Sequence, residues 1–285
     1  MISLCALPFA VLVIDMTLVV FLLFVVIGCV VGFFAGLFGI GGGILIVPVL
    51  VFSYKYSGVS PSVLTHIALG TSLLVIIFAS LASAYQQNRQ NNIEWSAVIA
   101  LGLSSAITAF AATRLAAGLS GWHLRVAFAL VVMVSGIRML TETEEQAQKK
   151  LQLFSKPSPV RLVGVGLVTG VVAALAGVGG GVITIPMMYY FLNMPLKLAI
   201  GTSSATIVIT AIFSVVGYIY NGIGHADLPG WSFGFVDLQR GGALALGTLL
   251  MGRVGAYVSF RTHPYRLKRF FALFVIAISI LMLLK

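Results

Sequence analysis

Charged residues are scarce in this sequence. Only 8% of its 285 residues are Asp, Glu, Lys or Arg, whereas 60% are hydrophobic. A soluble domain is typically about 25% charged. Apolar segments close to the ~20 residues needed to cross a bilayer recur from one end to the other. The scarcity of charge therefore excludes a sizeable soluble domain and predicts an all-α polytopic integral membrane protein.

Acidic residues are the scarcest of the charges. The seven Asp and Glu residues all lie outside the centres of the apolar segments. A carboxylate inside the membrane is the usual carrier of a coupling proton or sodium ion, so such coupling is not expected. The net charge of +10 comes from Lys and Arg between apolar segments. This distribution is typical of membrane topology and of contact with anionic lipid, and no nucleic-acid partner is expected.

Cysteine is scarce as well. Cys5 and Cys29 are the two cysteines, and neither has the spacing of a metal-ligand pair or a CxxC motif. We therefore expect no metal site and no cofactor. Residues 1–31 are apolar and lack the basic start of a secretory signal, so they are predicted to remain as the first span.

Glycine, in contrast, is concentrated in two runs that interrupt apolar segments. Residues 39–43 read Gly-Ile-Gly-Gly-Gly and are followed by Pro48, and residues 177–181 read Gly-Val-Gly-Gly-Gly and are followed by Pro186. We call these runs the first and second glycine switch; they start 138 residues apart. Irregular backbone survives in a bilayer only inside protein or beside water. We therefore predict Gly-interrupted helices or half-helices at the interface of two repeats.

The hydrophobic segments divide the chain into two halves. Residues 1–140 are predicted to form a first transmembrane repeat, 141–160 a polar linker and 161–285 a second repeat, with about four to five segments each. The predicted segments are 15–38, 44–52, 62–85, 95–118 and 122–140, then 161–176, 182–192, 195–220, 238–260 and 267–284. The polar residues 86–92 are predicted to be a loop.

Three further blocks recur in the same order in both halves. Ala-Leu-Gly-Thr-Ser at 68–72 matches Ala-Ile-Gly-Thr-Ser at 199–203, Arg114 matches Arg253, and 124–130 matches 267–273. Basic residues are concentrated around the linker and the late loop at 253–269, which predicts that both are cytoplasmic and that both termini are periplasmic. Matching loops with unlike charge predict that the two repeats are inverted.

The doubled glycine switch with its prolines, the two Gly-Thr-Ser blocks and the two arginine-bearing segments resemble the TauE/SafE sulfite-exporter family, also called the TSUP group. The resemblance covers about residues 17–284. It implies a polytopic transporter of the inner membrane for a small sulfur-containing anion, such as sulfite, thiosulfate or an organosulfonate. The substrates of this family differ widely, so the resemblance does not fix the anion.

Candidate substrate ligands follow from the donors that an anion needs inside a membrane. Backbone N–H groups at a half-helix N-terminus bind anions, hydroxyls donate to oxyanion oxygens, and Arg presents a planar pair of donors. The predicted substrate-binding residues are Gly39, Gly41, Gly42, Gly43, Thr71, Ser72, Gly177, Gly179, Gly180, Gly181, Thr202, Ser203, Arg114 and Arg253. No catalytic residues are expected.

Each of these groups also has a purely structural interpretation. Glycines in membrane helices serve as packing contacts, and hydroxyls bond the carbonyl four residues earlier. Arginines near helix ends extend to the membrane surface. For Arg114 and Arg253 the structural interpretation is the stronger one, because each stands near the end of its segment.

The leading hypothesis is a secondary transporter, with its anion site near the membrane midplane between the two switches. A permease or channel for another small anion, such as a carboxylate, would use the same donors. An intramembrane hydrolase with Ser72 or Ser203 as nucleophile is a remote alternative, because the sequence has no HExxH or GxSxG motif. A structural subunit is a third class. Membrane lipid is an expected partner, and assembly into a homo-oligomer stays open.

Overall fold

The chain folds into a bundle of α-helices. The computed structural model describes residues 18–116, 133–134, 136–141, 157–225, 227–229 and 231–283. Its helices are α1 (Leu18–Phe38), α2 (Gly43–Tyr56), α3 (Pro61–Asn88), α4 (Trp95–Ala116), α5 (Pro159–Ala176), α6 (Gly181–Phe191), α7 (Leu196–Gly222), α8 (Leu238–Arg261) and α9 (Pro264–Leu283). Residues 133–134 and 136–141 are also helical. Two short antiparallel strands, β1 (Ser232–Phe233) and β2 (Val236–Asp237), precede α8.

Six helices of the described part are long and apolar enough to cross a membrane, namely α1, α3, α4, α5, α7 and α8. The apolar helices α2 and α6 are shorter. The predicted all-α polytopic membrane fold is thereby confirmed, with the small β1–β2 hairpin as an addition that the sequence pattern did not indicate.

Most predicted segment ends lie within a few residues of the observed ones. The predicted loop at 86–92 is shorter in the structure, because α3 continues to Asn88. Its polar end is satisfied locally, since Asn92 donates to the buried Gln87 side chain at 3.1 Å. Residues 1–17, most of the predicted segment 122–140 and most of the linker 141–160 lie outside the described residues.

Helices α3 and α7 pack against each other in opposite directions. Ser83, near the end of α3, hydrogen-bonds Ser204, near the start of α7, with 2.9 Å between the Oγ atoms. Gly70, early in α3, packs against Tyr218, late in α7. Each of these two helices carries one of the Gly-Thr-Ser blocks, so they occupy equivalent positions in the two halves.

The first helix of each half packs against the other half. Gly28, Gly32 and Gly36 of α1 lie against the backbone of α8 at residues 244, 248 and 252. The contacted positions increase in residue number along both helices in the same direction, so α1 and α8 are parallel. Gly166 and Gly170 of α5 pack on α4 in the same manner. Small residues at every fourth position let the backbones of membrane helices approach closely, which explains why these glycines are spaced as they are.

Two further parallel pairs, α3 with α8 and α4 with α7, complete the arrangement. The contacts that fix them are Gly241 with Thr71, Gly252 with Ala82, Gly102 with Ile209, and Gly217 with Thr113. Consequently α1, α3 and α8 run one way, and α4, α5 and α7 run the other. Helices at equivalent positions of the two halves therefore have opposite directions.

Each glycine switch is the turn of a helical hairpin. Helix α2 runs back along α3, because Gly43 at its start lies beside Ile76 and Tyr54 near its end hydrogen-bonds Thr71. Helix α6 likewise runs opposite to α7, because Gly181 at its start lies beside Ile207 and residues 192–195 join its end to the start of α7. Both short helices therefore begin at a switch, inside the bundle.

Candidate functional site

The two glycine switches face each other and their backbones are in contact. A Cβ atom added at Gly43 would lie 2.6 Å from the Gly177 carbonyl oxygen and 2.6 Å from the Val178 Cα. A Cβ atom added at Gly181 would lie 2.7 Å from the Ile40 Cα and 3.0 Å from the carbonyl oxygen of the first switch at residue 39. All residues of both switches are buried. Two runs that are 138 residues apart in sequence thus meet reciprocally.

The backbone conformation of the two switches is the same at three matched positions. The φ angles are +67°, +79° and +83° at Gly39, Gly41 and Gly42, and +61°, +72° and +80° at Gly177, Gly179 and Gly180. Only glycine adopts this left-handed region without a steric cost. The glycines are therefore required to turn the chain as well as to let the two backbones meet.

Free backbone donors collect at this contact. Leu45 and Ile183 are the first residues of α2 and α6 whose N–H donates to a carbonyl, and no side chain caps either helix. Within the described residues, the N–H groups of residues 41–44 and 179–182 accordingly have no protein acceptor. The N-terminus of a helix carries partial positive charge. Two such ends, with uncommitted N–H groups, meet here in buried surroundings.

The Gly-Thr-Ser blocks hold this arrangement together. Ser72 donates to the Gly177 carbonyl at 2.7 Å, and Ser203 donates to the Gly39 carbonyl at 3.1 Å. Each serine therefore fixes the switch of the opposite half. Since their hydroxyl protons are engaged by carbonyls, these two serines position the switches in the observed conformation.

The two threonines of the same blocks hold the starts of later helices. Thr71 Oγ1 accepts the N–H of Asp237 at 2.9 Å, just before α8, and Thr202 Oγ1 accepts the N–H of Glu94 at 3.1 Å, just before α4. Both threonines are fully buried. The same pair of bonds in both halves explains why the blocks recur. The threonines thus have a structural role, which is to fix the starts of α8 and α4.

Removing either serine hydroxyl is expected to destabilise the protein. Ser72→Ala leaves the buried Gly177 carbonyl without its donor, which costs about 1–3 kcal/mol, and Ser203→Ala does the same at Gly39. The melting temperature of the purified protein in detergent measures the effect. Ser96→Ala, which removes only an exposed hydrogen bond to Glu94, is the control and should change stability by less than about 0.5 kcal/mol. Two serine variants as stable as the control would contradict this role.

Two isoleucines that the sequence pattern did not indicate fill the space beside the switches. Ile76 Cγ2 lies 2.9 Å from the Cβ positions of both Gly41 and Gly179, and Ile207 Cγ2 lies 3.4 and 3.0 Å from them. Both side chains are buried. The signal that could have found them is their repetition four residues after Ser72 and Ser203.

The two candidate arginines are not brought to the switches. Arg114 and Arg253 are exposed, and their guanidinium groups lie 6.0 and 4.8 Å from the ring centres of Tyr220 and Tyr85. Tyr220 follows Ile207 by 13 residues on α7, which is about 20 Å along a helix. Within the described residues, the side chains that hydrogen-bond the switches are the uncharged Ser72, Thr184 and Ser203.

A buried polar cluster anchors the far end of α2. Asp237 caps α8 by accepting the N–H groups of residues 239 and 240, and it pairs with Arg240 at 3.3 Å. The Tyr54 hydroxyl donates to Asp237 at 3.1 Å, and Arg240 lies 4.9 Å from the ring centres of Tyr54 and Trp231. Burial raises the pKa of Asp237, and the N–H and guanidinium of Arg240 oppose the shift.

In the described part of the chain, no group of His, Cys, Asp and Glu is placed to hold a metal ion.

Fold and site together define a polytopic membrane protein in which two short helices begin at a shared, buried centre. The chain belongs to the family described as Sulfite exporter TauE/SafE, whose profile matches residues 24–282. The recognition of this family from the glycine switches is thereby confirmed.

Curated relatives extend over most of the chain. A probable membrane transporter protein of Haemophilus influenzae is 31% identical over 93% of this chain and 98% of its own length. A probable membrane transporter protein of Methanocaldococcus jannaschii is 32% identical over 73% of this chain and 78% of its own. A probable membrane transporter protein of Xylella fastidiosa is 28% identical over 89% of this chain and 91% of its own length. No solved structure matches the chain.

Proposed function

We propose that this protein is a secondary transporter that moves a small sulfur-containing anion across the inner membrane. Sulfite, thiosulfate and organosulfonates such as a C2 sulfonate are the candidate substrates. The anion binds near the midplane, between the two glycine switches. The observation that carries the proposal is the meeting of two half-helix N-termini whose N–H groups at 41–44 and 179–182 have no acceptor among the described residues.

The electrostatics of this contact favour an anion. Each helix N-terminus is equivalent to roughly +0.5 elementary charge, and the two N-termini meet in buried surroundings. An unsatisfied N–H group in such surroundings costs free energy, which an anion with several acceptor oxygens would recover. Positive potential without a formal charge also lets the anion leave again, because no ion pair must be broken.

The donor set suits anions with several acceptor oxygens. The site offers N–H donors, and the nearby carbonyls of Gly39 and Gly177 already accept from serines. Sulfite, thiosulfate and sulfonates each present such oxygens. Carboxylates do so too, and a permease or channel for a small carboxylate therefore remains the alternative.

We further propose that the two halves, residues 1–140 and 161–285, are inverted repeats that exchange roles during transport. The opposite directions of equivalent helices support this, as does the reciprocal bonding of each serine to the other half's switch. Ile76 and Ile207 close the space between the switches, so an anion enters when one hairpin moves away. A cytoplasmic linker and periplasmic termini, as the basic residues predict, fit this two-fold arrangement.

Uptake into proteoliposomes tests the proposed substrate. Saturable entry of radiolabelled sulfite, with competition by thiosulfate and ethanesulfonate, is the expected result, and acetate is the control anion. A ligand that binds the folded protein at 100 times its Kd should also raise stability by about 2.7 kcal/mol. If only acetate enters or competes, the carboxylate alternative replaces the proposal; if no anion enters, the transport claim fails.

A further inference from the structure

A buried hydroxyl without a partner points at the first glycine switch. Ser80 lies on α3 and is 1% exposed. Among the serines and threonines that the structure describes, it alone has a buried Oγ with no hydrogen-bond partner. A hydroxyl in a membrane helix normally donates to the carbonyl four residues earlier. Thr206, Thr210 and Ser214 of α7 all do so, and Ser80 does not.

The Ser80 hydroxyl lies beside the first glycine switch. Its Oγ lies 3.2 Å from the Cβ position of Gly41. One helical turn earlier, Ile76 contacts the same glycine and also Gly179. Ser80 therefore stands on the face of α3 that covers the switches and lies beside Gly41, the first of the residues 41–44 whose N–H groups have no acceptor among the described residues.

The second half offers no matching hydroxyl. The offset of 131 residues that relates Ser72 to Ser203 and Ile76 to Ile207 relates Ser80 to Ala211. Ala211 is fully buried. The backbones of the two switches are thus alike, but the helix position that holds a hydroxyl beside the first switch holds a methyl group in the second half.

We propose that Ser80 is the side-chain ligand of the transported anion, and that the anion binds on the side of the first switch. The inference rests on the proposed function and deepens it. The Ser80 O–H donates to one oxygen of the anion while backbone N–H groups of the first switch donate to the others. An oxygen of the anion is the partner that the Ser80 hydroxyl lacks among the protein atoms.

Two variants on α3 separate a ligand from a structural residue. Ser80→Ala removes a hydroxyl that bonds no protein atom, so the ligand-free melting temperature should stay the same or rise. Its Kd for the anion should increase about tenfold to a hundredfold, as for a lost hydrogen bond to a charged group. Ser83→Ala, the control, removes the bond to Ser204 and should lower the melting temperature while leaving Kd within about twofold.

The measurement is a titration of purified wild type and both variants with sulfite, thiosulfate, ethanesulfonate and acetate, followed by thermal shift. A Ser80→Ala protein that binds as tightly as a responsive wild type overturns the role of Ser80 and leaves the proposed function intact. A Ser80→Ala protein that melts as low as Ser83→Ala also overturns it, because the hydroxyl would then serve the fold. If the wild type responds to none of the four anions, the proposed function itself fails.

Discussion

Gly43→Ala and Gly181→Ala are each expected to reduce anion uptake to background. The new methyl group at Gly43 would lie 2.6 Å from two backbone atoms of the opposite switch, and the one at Gly181 would lie 2.7 Å from the Ile40 Cα. A clash with backbone atoms cannot be relieved by a change of side-chain rotamer, so the two switches must move apart. Overpacking of this kind typically costs about 1–3 kcal/mol, and here it would also displace the N–H donors that form the site.

Alanine at these two positions tests the contact between the switches separately from the conformational freedom of glycine. Gly43 and Gly181 have no left-handed φ angle, so alanine brings no backbone strain at either position. Gly164→Ala on α5 is the matched control, because its Cβ would have no neighbour within 4 Å. Uptake and ligand-induced thermal shift should be normal in the control and absent in the two switch variants. Normal uptake by Gly43→Ala and Gly181→Ala would show that the switches do not bind the substrate.

Asp237→Ala is expected to be strongly destabilising, by about 3–5 kcal/mol, which is typical of removing one partner of a buried ion pair. The substitution leaves Arg240 without its carboxylate, removes one of the two acceptors near the Tyr54 hydroxyl, and leaves the first N–H groups of α8 without a cap. It would also release the C-terminal end of α2, which this cluster holds against α8. Thermal unfolding of the purified protein measures the loss.

Two controls separate the roles of Asp237. Asp237→Asn keeps a side chain that caps helices well, so it should cost clearly less than Asp237→Ala. Asp227→Ala removes an exposed acceptor of Ser62 and should stay within about 0.5 kcal/mol of wild type. Equal melting temperatures for Asp237→Ala and Asp227→Ala would contradict the anchoring role of the cluster.

The sequence was sufficient for the features that depend on local chemistry. Long apolar runs predicted the membrane helices, and the glycine runs predicted the breaks before α2 and α6, because no other residue turns the backbone there. The repeated Gly-Thr-Ser blocks marked α3 and α7 as equivalent helices. Periodicity could also have shown Ile76 and Ile207, which repeat at the same offset.

Features that depend on contacts between distant segments could not be predicted from the sequence. No local pattern indicates that Ser72 bonds Gly177, which lies 105 residues away and in the other half. The arginines illustrate the same limit, since their repetition suggested a shared role, whereas the structure places both on exposed surface beside tyrosine rings. The repeat does not indicate Ser80 either, because the equivalent position in the second half is Ala211.

The location of a bound anion tests the central claim most directly. Selenite, the selenium analogue of sulfite, scatters X-rays anomalously and can be located in crystals grown in its presence. We expect a selenium peak between the two glycine switches, within about 4 Å of the amide nitrogens of residues 41–44 and of Ser80 Oγ, as hydrogen bonds to its oxygens would require. A selenium peak beside Arg114 or Arg253, with the switches still in backbone contact, would contradict the account.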